Sequence, residues 1–178
     1  MGEIDYDVIY NSYDEVYRDE QFAKYRIALS LLQDLGGIIL DAGCGTGFFY
    51  EFLRKRVDIN RFEYFGIDKS LNMLKKAKKK ICVNAHLIMA CVEFMPFRDQ
   101  VFSYIFSFTV FHEVDIDKAL REIERLSSDR CSVVVSMLKK VRVKVDEILK
   151  KCSSRYSTVF IGENDDSLKD LIIVFRVC

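Results

Sequence analysis

The stretch Ile38-Ile39-Leu40-Asp41-Ala42-Gly43-Cys44-Gly45-Thr46-Gly47 constrains this chain more than any other. Three apolar residues read as a buried parallel strand. An acid ends it, three glycines follow within five positions, and residues 48–57 read as a helix. Strand, glycine turn and helix N-terminus together suit a nucleotide ligand at the carboxyl end of a sheet. The spacing discriminates between ligands. A dinucleotide loop runs Gly-x-Gly-x-x-Gly, whereas here Gly43, Gly45 and Gly47 alternate and position 48 is Phe. A P-loop ends in Gly-Lys-Ser/Thr, and Gly47 is followed by Phe48 and Phe49. Asp41 would repel a pyrophosphate and suits a cationic group such as an amine or a sulfonium.

The rest of the chain supplies a sheet around that loop. Residues 1–35 read as helical and acidic, with Tyr6, Tyr10, Tyr13 and Tyr17 along one face. That face either packs on the core or forms a lid over the ligand cleft. Residues 22–35 continue as an amphipathic helix that Gly36-Gly37 stops. A second strand over 62–68 ends in Asp68, which lies 21 positions after Gly47. An acid about 20 residues on is where Rossmann-like units meet a ribose. Ser70 caps a helix over 71–81, whose lysine run reads as a solvated face. Strands over 85–90, 101–108 and 131–137, a helix over 115–126 and a basic helix over 139–151 follow. Strands over 156–161 and 171–177 lack a helix-length connection and read as a hairpin. Strands alternating with helices imply an α/β fold, a mostly parallel sheet with helices on both faces. No repeat or linker divides residues 1–178, so they read as a single domain.

At this point Asp41-Ala42-Gly43-Cys44-Gly45-Thr46-Gly47 resembles the first motif of the class I S-adenosylmethionine (SAM)-dependent methyltransferases. Pro96-Phe97 and Phe106-Ser107-Phe108-Thr109-Val110-Phe111-His112-Glu113-Val114 resemble the ubiquinone/menaquinone-biosynthesis-like group of small methyltransferases. The resemblance covers roughly residues 36–138 and the two closing strands. It implies a Rossmann-like methyltransferase fold of seven strands, the last inserted antiparallel, with SAM as cofactor. It places Gly43, Cys44, Gly45 and Gly47 beneath the methionine part of SAM, with Asp41 near its amino end. It gives Asp68 the ribose hydroxyls, and sets Lys69 and Val92 against the two adenine faces. Ser107 and Phe108 would present backbone to the amino acid end, and Tyr13 and Tyr17 would reach the cofactor from the lid. One position departs from the family: Cys91 stands where an Asp usually accepts from the adenine amino group. A thiol is a weak acceptor, which leaves adenine recognition to backbone groups, packing or Glu93.

His112, just past the fourth strand, is the candidate general base, or else merely lines the cleft. Methyl transfer from a sulfonium is an in-line displacement that proximity and orientation alone accelerate. The acceptor is then a small molecule, tRNA or protein. A non-catalytic SAM-binding subunit that activates a partner is the alternative. An NAD-dependent oxidoreductase is disfavoured by Phe48 and Asp41. Residues 137–156 hold seven bases and two acids. The segment from Lys139 to Arg155 reads as a solvated helix or as an RNA-facing patch. Net charge is zero, no apolar run approaches a membrane span, and the N-terminus lacks signal-peptide features. The six cysteines show no Cys-x-x-Cys spacing, so no metal is expected, and a reducing cytoplasm is the simplest setting.

Overall fold

The computed structural model describes residues 13–152, 156–161 and 169–177. Helix α1 (Tyr13–Ser30) leads into β1 (Gly37–Ala42), α2 (Phe48–Leu53), β2 (Phe62–Asp68), α3 (Leu71–Lys78) and β3 (Ala85–Met89). Then come β4 (Phe102–Phe108), α4 (Ile116–Leu126), β5 (Ser127–Leu138), α5 (Arg142–Cys152), β6 (Tyr156–Ile161) and β7 (Asp170–Val177). Seven strands form one sheet in the order β3-β2-β1-β4-β5-β7-β6. The first five run parallel, and β7 is inserted antiparallel between β5 and β6. This is the Rossmann-like methyltransferase architecture that the sequence implies.

Period-two alternation in the strands splits the core into two layers. Leu40, Ile105, Val133, Val135 and Ile173 face α4 and α5, meeting Ile116, Ala119, Ile123, Val145 and Ile148. Ile39, Phe106, Val134, Ile172 and Val174 face the other way, toward α1 and α2. That second layer is largely aromatic. Phe49 lies 4.4 Å from Phe106, 5.0 Å from Phe108 and 5.1 Å from Tyr25, centroid to centroid. Phe22 stands edge-on to Phe48 and Phe52. Such tilted and edge-on pairs use the opposed charge of ring face and ring edge.

Several elements are shorter or longer than their sequence patterns. The helix expected to run to residue 35 ends at Ser30, where Leu31 and Leu32 bond three residues back and tighten the last turn. Asp34 then adopts φ 48°, which Asp tolerates, and the reversal buries Leu35 ahead of β1. The helix expected over 48–57 ends at Leu53, and that expected over 71–81 ends at Lys78. β3 stops at Met89, one residue early. β5 begins at Ser127, not 131, because the polar Ser-Ser-Asp-Arg run is bonded as a bulged extension of the strand. There Ser128 Oγ donates to Phe102 O at 2.8 Å. The basic helix is a 3₁₀ turn (Lys139–Val141) followed by α5.

In the lysine run Lys75, Lys78 and Lys79 are exposed, as expected, but Lys80, just past α3, is largely enclosed. Its ammonium donates to Thr46 O at 2.8 Å, pairs with Asp14 at 2.5 Å and lies 4.3 Å from the Phe48 ring centroid. Tyr6 and Tyr10 lie outside the described residues. No described helix is long and apolar enough to cross a membrane.

Phe49 joins α1, α2 and β4. Phe49→Ala is expected to cost about 3–5 kcal/mol, the usual range for truncating a buried phenylalanine. Urea unfolding of the variant beside wild type measures it, and a loss below about 1 kcal/mol would mean that the cluster is loosely packed.

Candidate functional site

The strand order reverses between β1 and β4, and open α/β sheets form a ligand crevice at the carboxyl ends of such strands. Here the loop after β1 is drawn onto β2: Gly43 N and Cys44 N both donate to Ile67 O, at 2.9 and 2.8 Å. Gly43 sits at φ 86°, and a Cβ there would collide with Val110 Cγ2. The chain leaving β4 therefore crosses directly over the glycine loop. Gly66 serves the same loop from below, since its missing Cβ would stand 2.9 Å from Cys44 Sγ. Gly47, heading α2, lies against Ala77 of α3.

Two spaces result. The larger is a cleft of about 160 Å³, walled by Gly43 and Gly45, by Asp68, Lys69 and Met73, by Ala90, Cys91, Val92 and Glu93, and by Phe108, Thr109, Val110, Glu113 and Val114. The smaller is a recess of about 20 Å³ beneath α1, bounded by Gln21, Tyr25, Asp41, Gly43, Cys44, Gly45, Thr46, Phe48 and Phe108. Gly43, Gly45 and Phe108 border both.

The structure thus brings Asp68, Lys69, Cys91 and Val92 together with Gly43, Gly45 and Phe108 in the cleft. Asp68 is held by two backbone donors, Gly45 N to Oδ2 and Ser70 N to Oδ1, each at 2.8 Å. Ser70 in turn caps α3, accepting from Met73 N at 3.1 Å. Cys44 is buried and faces Gly66, and burial first, then Asp41 and Asp68, pushes its thiol pKa well up. Ser107 is buried, its hydroxyl donating to Ala42 O at 2.9 Å, so it braces β1 and does not line the cleft. Tyr17 lines neither space, and the side chain of Tyr13 lies outside the described residues. The residues of α1 that reach the recess are Gln21 and Tyr25, one and two turns further on.

His112 likewise stands outside the cleft lining, its Nε2 3.4 Å from Glu113 Oε1, while Glu113 itself lines the cleft. Glu93 Oε1 accepts from Asp115 N at 3.2 Å, tying the turn after β3 to the start of α4. Of the basic segment, Lys151 pairs with Asp117 and Glu147, and Arg155 lies outside the described residues. Among the described residues no group of three His, Cys, Asp or Glu side chains could hold a metal. Sequence reasoning missed Gln21, Tyr25, Thr46, Thr109, Val110 and Glu113. The four-residue spacing Tyr17, Gln21, Tyr25 carried a signal for the first two.

Asp41 is 2% exposed and accepts from Tyr64 Oη at 2.5 Å. Burial raises its pKa from 3.8 to about 7, Tyr64 opposes that rise, and Asp68 adds to it. The folded state therefore holds this proton more tightly than the unfolded chain. Stability from this group is greatest below pH 3.8 and falls as pH rises to about 7. Asp41→Asn removes the titration while keeping an acceptor for Tyr64. The Tm of the variant relative to wild type is expected to rise from pH 4.5 to pH 8. A difference constant across that window would show that Asp41 titrates normally.

A family model described as "Methyltransferase domain" matches residues 39–129, which hold β1 to the start of β5. An uncharacterised protein of Methanocaldococcus jannaschii is 33% identical over 127 residues, covering 70% of this chain and 46% of that protein. A malonyl-[acyl-carrier protein] O-methyltransferase of Hamiltonella defensa is 38% identical over 95 residues, covering 51% of this chain and 35% of the relative. The chain therefore spans less than half the length of either. The crystal structure of a SAM-dependent methyltransferase from Aquifex aeolicus superimposes with a TM-score of 0.82 at 19% identity, covering 99% of this chain and 100% of that one. Fold, glycine loop and family match agree: the chain belongs to the methyltransferase-domain family.

Proposed function

We propose that the chain binds SAM across the cleft and the recess and transfers its methyl group, by in-line displacement, to a small-molecule, tRNA or protein acceptor. One observation carries the reading. Asp68 ends β2 with its carboxylate fixed at the cleft wall by Gly45 N and Ser70 N, where a ribose diol would meet it. Two neutral hydroxyls against one carboxylate form charge-assisted hydrogen bonds. The Lys69 stem and Val92 would flank the adenine, with Cys91 at its edge. Gly43, Cys44, Gly45 and Gly47 would form the floor under the methionine part, and Asp41 would hold the amino end directly or through water. The backbone of Ser107 and Phe108 would meet that end from β4.

In this reading α1 is a cover over the recess. Asp14–Lys80 and Arg18–Glu51 (3.2 Å) fasten it, with Gln21 and Tyr25 beneath and Tyr13 and Tyr17 toward its outer end. His112 would serve as a general base oriented by Glu113. The segment from Lys139 to Arg155 would offer RNA a basic surface at the carboxyl end of β5. A second reading, a non-catalytic SAM-binding subunit, draws support from the direct passage of β5 into the 3₁₀ turn and α5, with no cap inserted there.

Incubating the protein with radiolabelled SAM in a cell extract, then fractionating RNA, protein and small molecules, separates these readings. Label in one fraction names the acceptor class. SAM binding without label in any fraction favours the subunit. For the cofactor, Asp68→Ala should weaken SAM binding by about 1.5–3 kcal/mol, the range for hydrogen bonds to a charged group. Unchanged calorimetric affinity would remove Asp68 from the site. Cys91→Asp should tighten binding by at most about 1 kcal/mol, because repulsion from Asp68 offsets the new acceptor. Weakened binding would place Cys91 away from the adenine edge.

A further inference from the structure

Thr109 is the residue on which the cleft wall turns. It follows β4 and precedes Val110, which crosses Gly43, and it lines the cleft itself. Its φ is 61°. A β-branched residue in the left-handed region is a steric outlier that persists only where its surroundings over-determine it.

The surroundings are a buried polar cluster that no cofactor contact explains. Lys24 of α1 is 1% exposed. Its Nζ donates to Thr109 Oγ1 at 2.9 Å and pairs with Asp170 Oδ2 at 3.0 Å and Glu20 Oε1 at 3.3 Å. The Thr109 hydroxyl in turn donates to Asp170 Oδ2 at 2.9 Å, and Ser136 Oγ donates to the same oxygen at 2.9 Å. Thr109 N donates to both the Oγ and the O of Ser136 at 3.0 Å. Donors and acceptors on α1, β5 and β7 thus grip Thr109 at its hydroxyl and at its amide.

We infer that Lys24 is a positioning residue for SAM binding: by holding Thr109 in its left-handed conformation, it sets the Phe108–Val110 wall of the cleft from behind. This rests on the cleft being the SAM site. Lys24 acts through Thr109 and touches neither space, since it lines neither the cleft nor the recess. Removing it releases the threonine toward ordinary dihedrals. Val110 then leaves Gly43, and the wall is lost without any cofactor contact having been deleted.

Lys24→Met alone would strand a buried carboxylate and could unfold the chain. The test therefore uses Lys24→Met with Asp170→Asn, an uncharged pair. Calorimetry measures the SAM Kd and a thermal melt measures folding. The double variant is expected to bind SAM about tenfold more weakly, at the low end of what releasing one strained φ is worth. Adding Thr109→Gly is then expected to recover most of that loss, because glycine adopts the left-handed conformation unaided. The Tm should stay low, since glycine restores no buried hydrogen bond. Affinity that returns without stability is a result that a merely structural lysine cannot give.

Double-variant affinity within twofold of wild type, or a triple variant no better than the double, would overturn the inference. If the double variant melts below the assay temperature, the triple decides alone: it must bind SAM more tightly than Lys24→Met/Asp170→Asn refolded with osmolyte. A wild-type protein that binds no SAM overturns the cofactor reading itself, and this inference with it.

Discussion

The whole site depends on one close approach, between Gly43 and the chain leaving β4. Parallel strands diverging at a reversal of strand order leave a crevice open to water. This crevice has walls because Val110 packs onto a residue with no side chain. From that contact follow the division into cleft and recess, the position of Phe108 between them, and the burial of Asp41 beneath. Any side chain at position 43 would have to adopt φ 86° and displace Val110. The two demands fall on the same residue, so only glycine meets them.

The second constraint is the attachment of α1. Among the described residues four ion pairs hold it, the outermost being the exposed Lys169–Glu20 pair, and they are not equivalent. Arg18–Glu51 is partly exposed and contributes little once screening and side-chain entropy are counted. Asp14–Lys80 is more enclosed and is joined to the glycine loop through Thr46 O. Lys24–Asp170 is buried on both sides. A pair of that kind gains little against an apolar substitute of the same shape, but losing one partner is severe. What it supplies is specificity: one position for α1 relative to β7 and the end of β4. Aromatic packing through Tyr25, Phe22 and Phe49 supplies the adhesion.

Much of this was legible in the sequence. The apolar run before Asp41, the alternating glycines, and the acid ending β2 fixed the sheet and the cleft, because each has a local cause. The closing hairpin was legible from the missing helix between its strands. Contacts between distant segments were not. Nothing along the chain marks the Ser107 hydroxyl for Ala42 O, a pairing set by the strand order. The Tyr17 spacing did not tell which turn of α1 borders the recess; Gln21 and Tyr25 do, a placement set by how α1 lies over the glycine loop. Lys80 looked like one more solvated lysine until α1 brought Asp14 to it. Thr109 carries no sequence mark of a left-handed residue. Its conformation is set by groups at positions 24, 136 and 170, and no window along the chain contains them together.

Asp41 shows how these contacts shape the chemistry of the recess. Burial encloses the carboxylate, with Tyr64 Oη donating to it, and raises its pKa to about 7. Among the described residues no lysine or arginine lines the recess, and the enclosed bases of that face are paired elsewhere, Lys24 with Asp170 and Lys80 with Asp14. The recess is thus a small volume holding an acid and no base. A neutral ligand entering it would leave the carboxylate's desolvation uncompensated, and an anion would add repulsion from Asp68 as well. A cation entering it offsets that cost and draws the proton off Asp41. The ion pairs that fasten α1 over the recess thus also occupy the ammonium groups of Lys24 and Lys80.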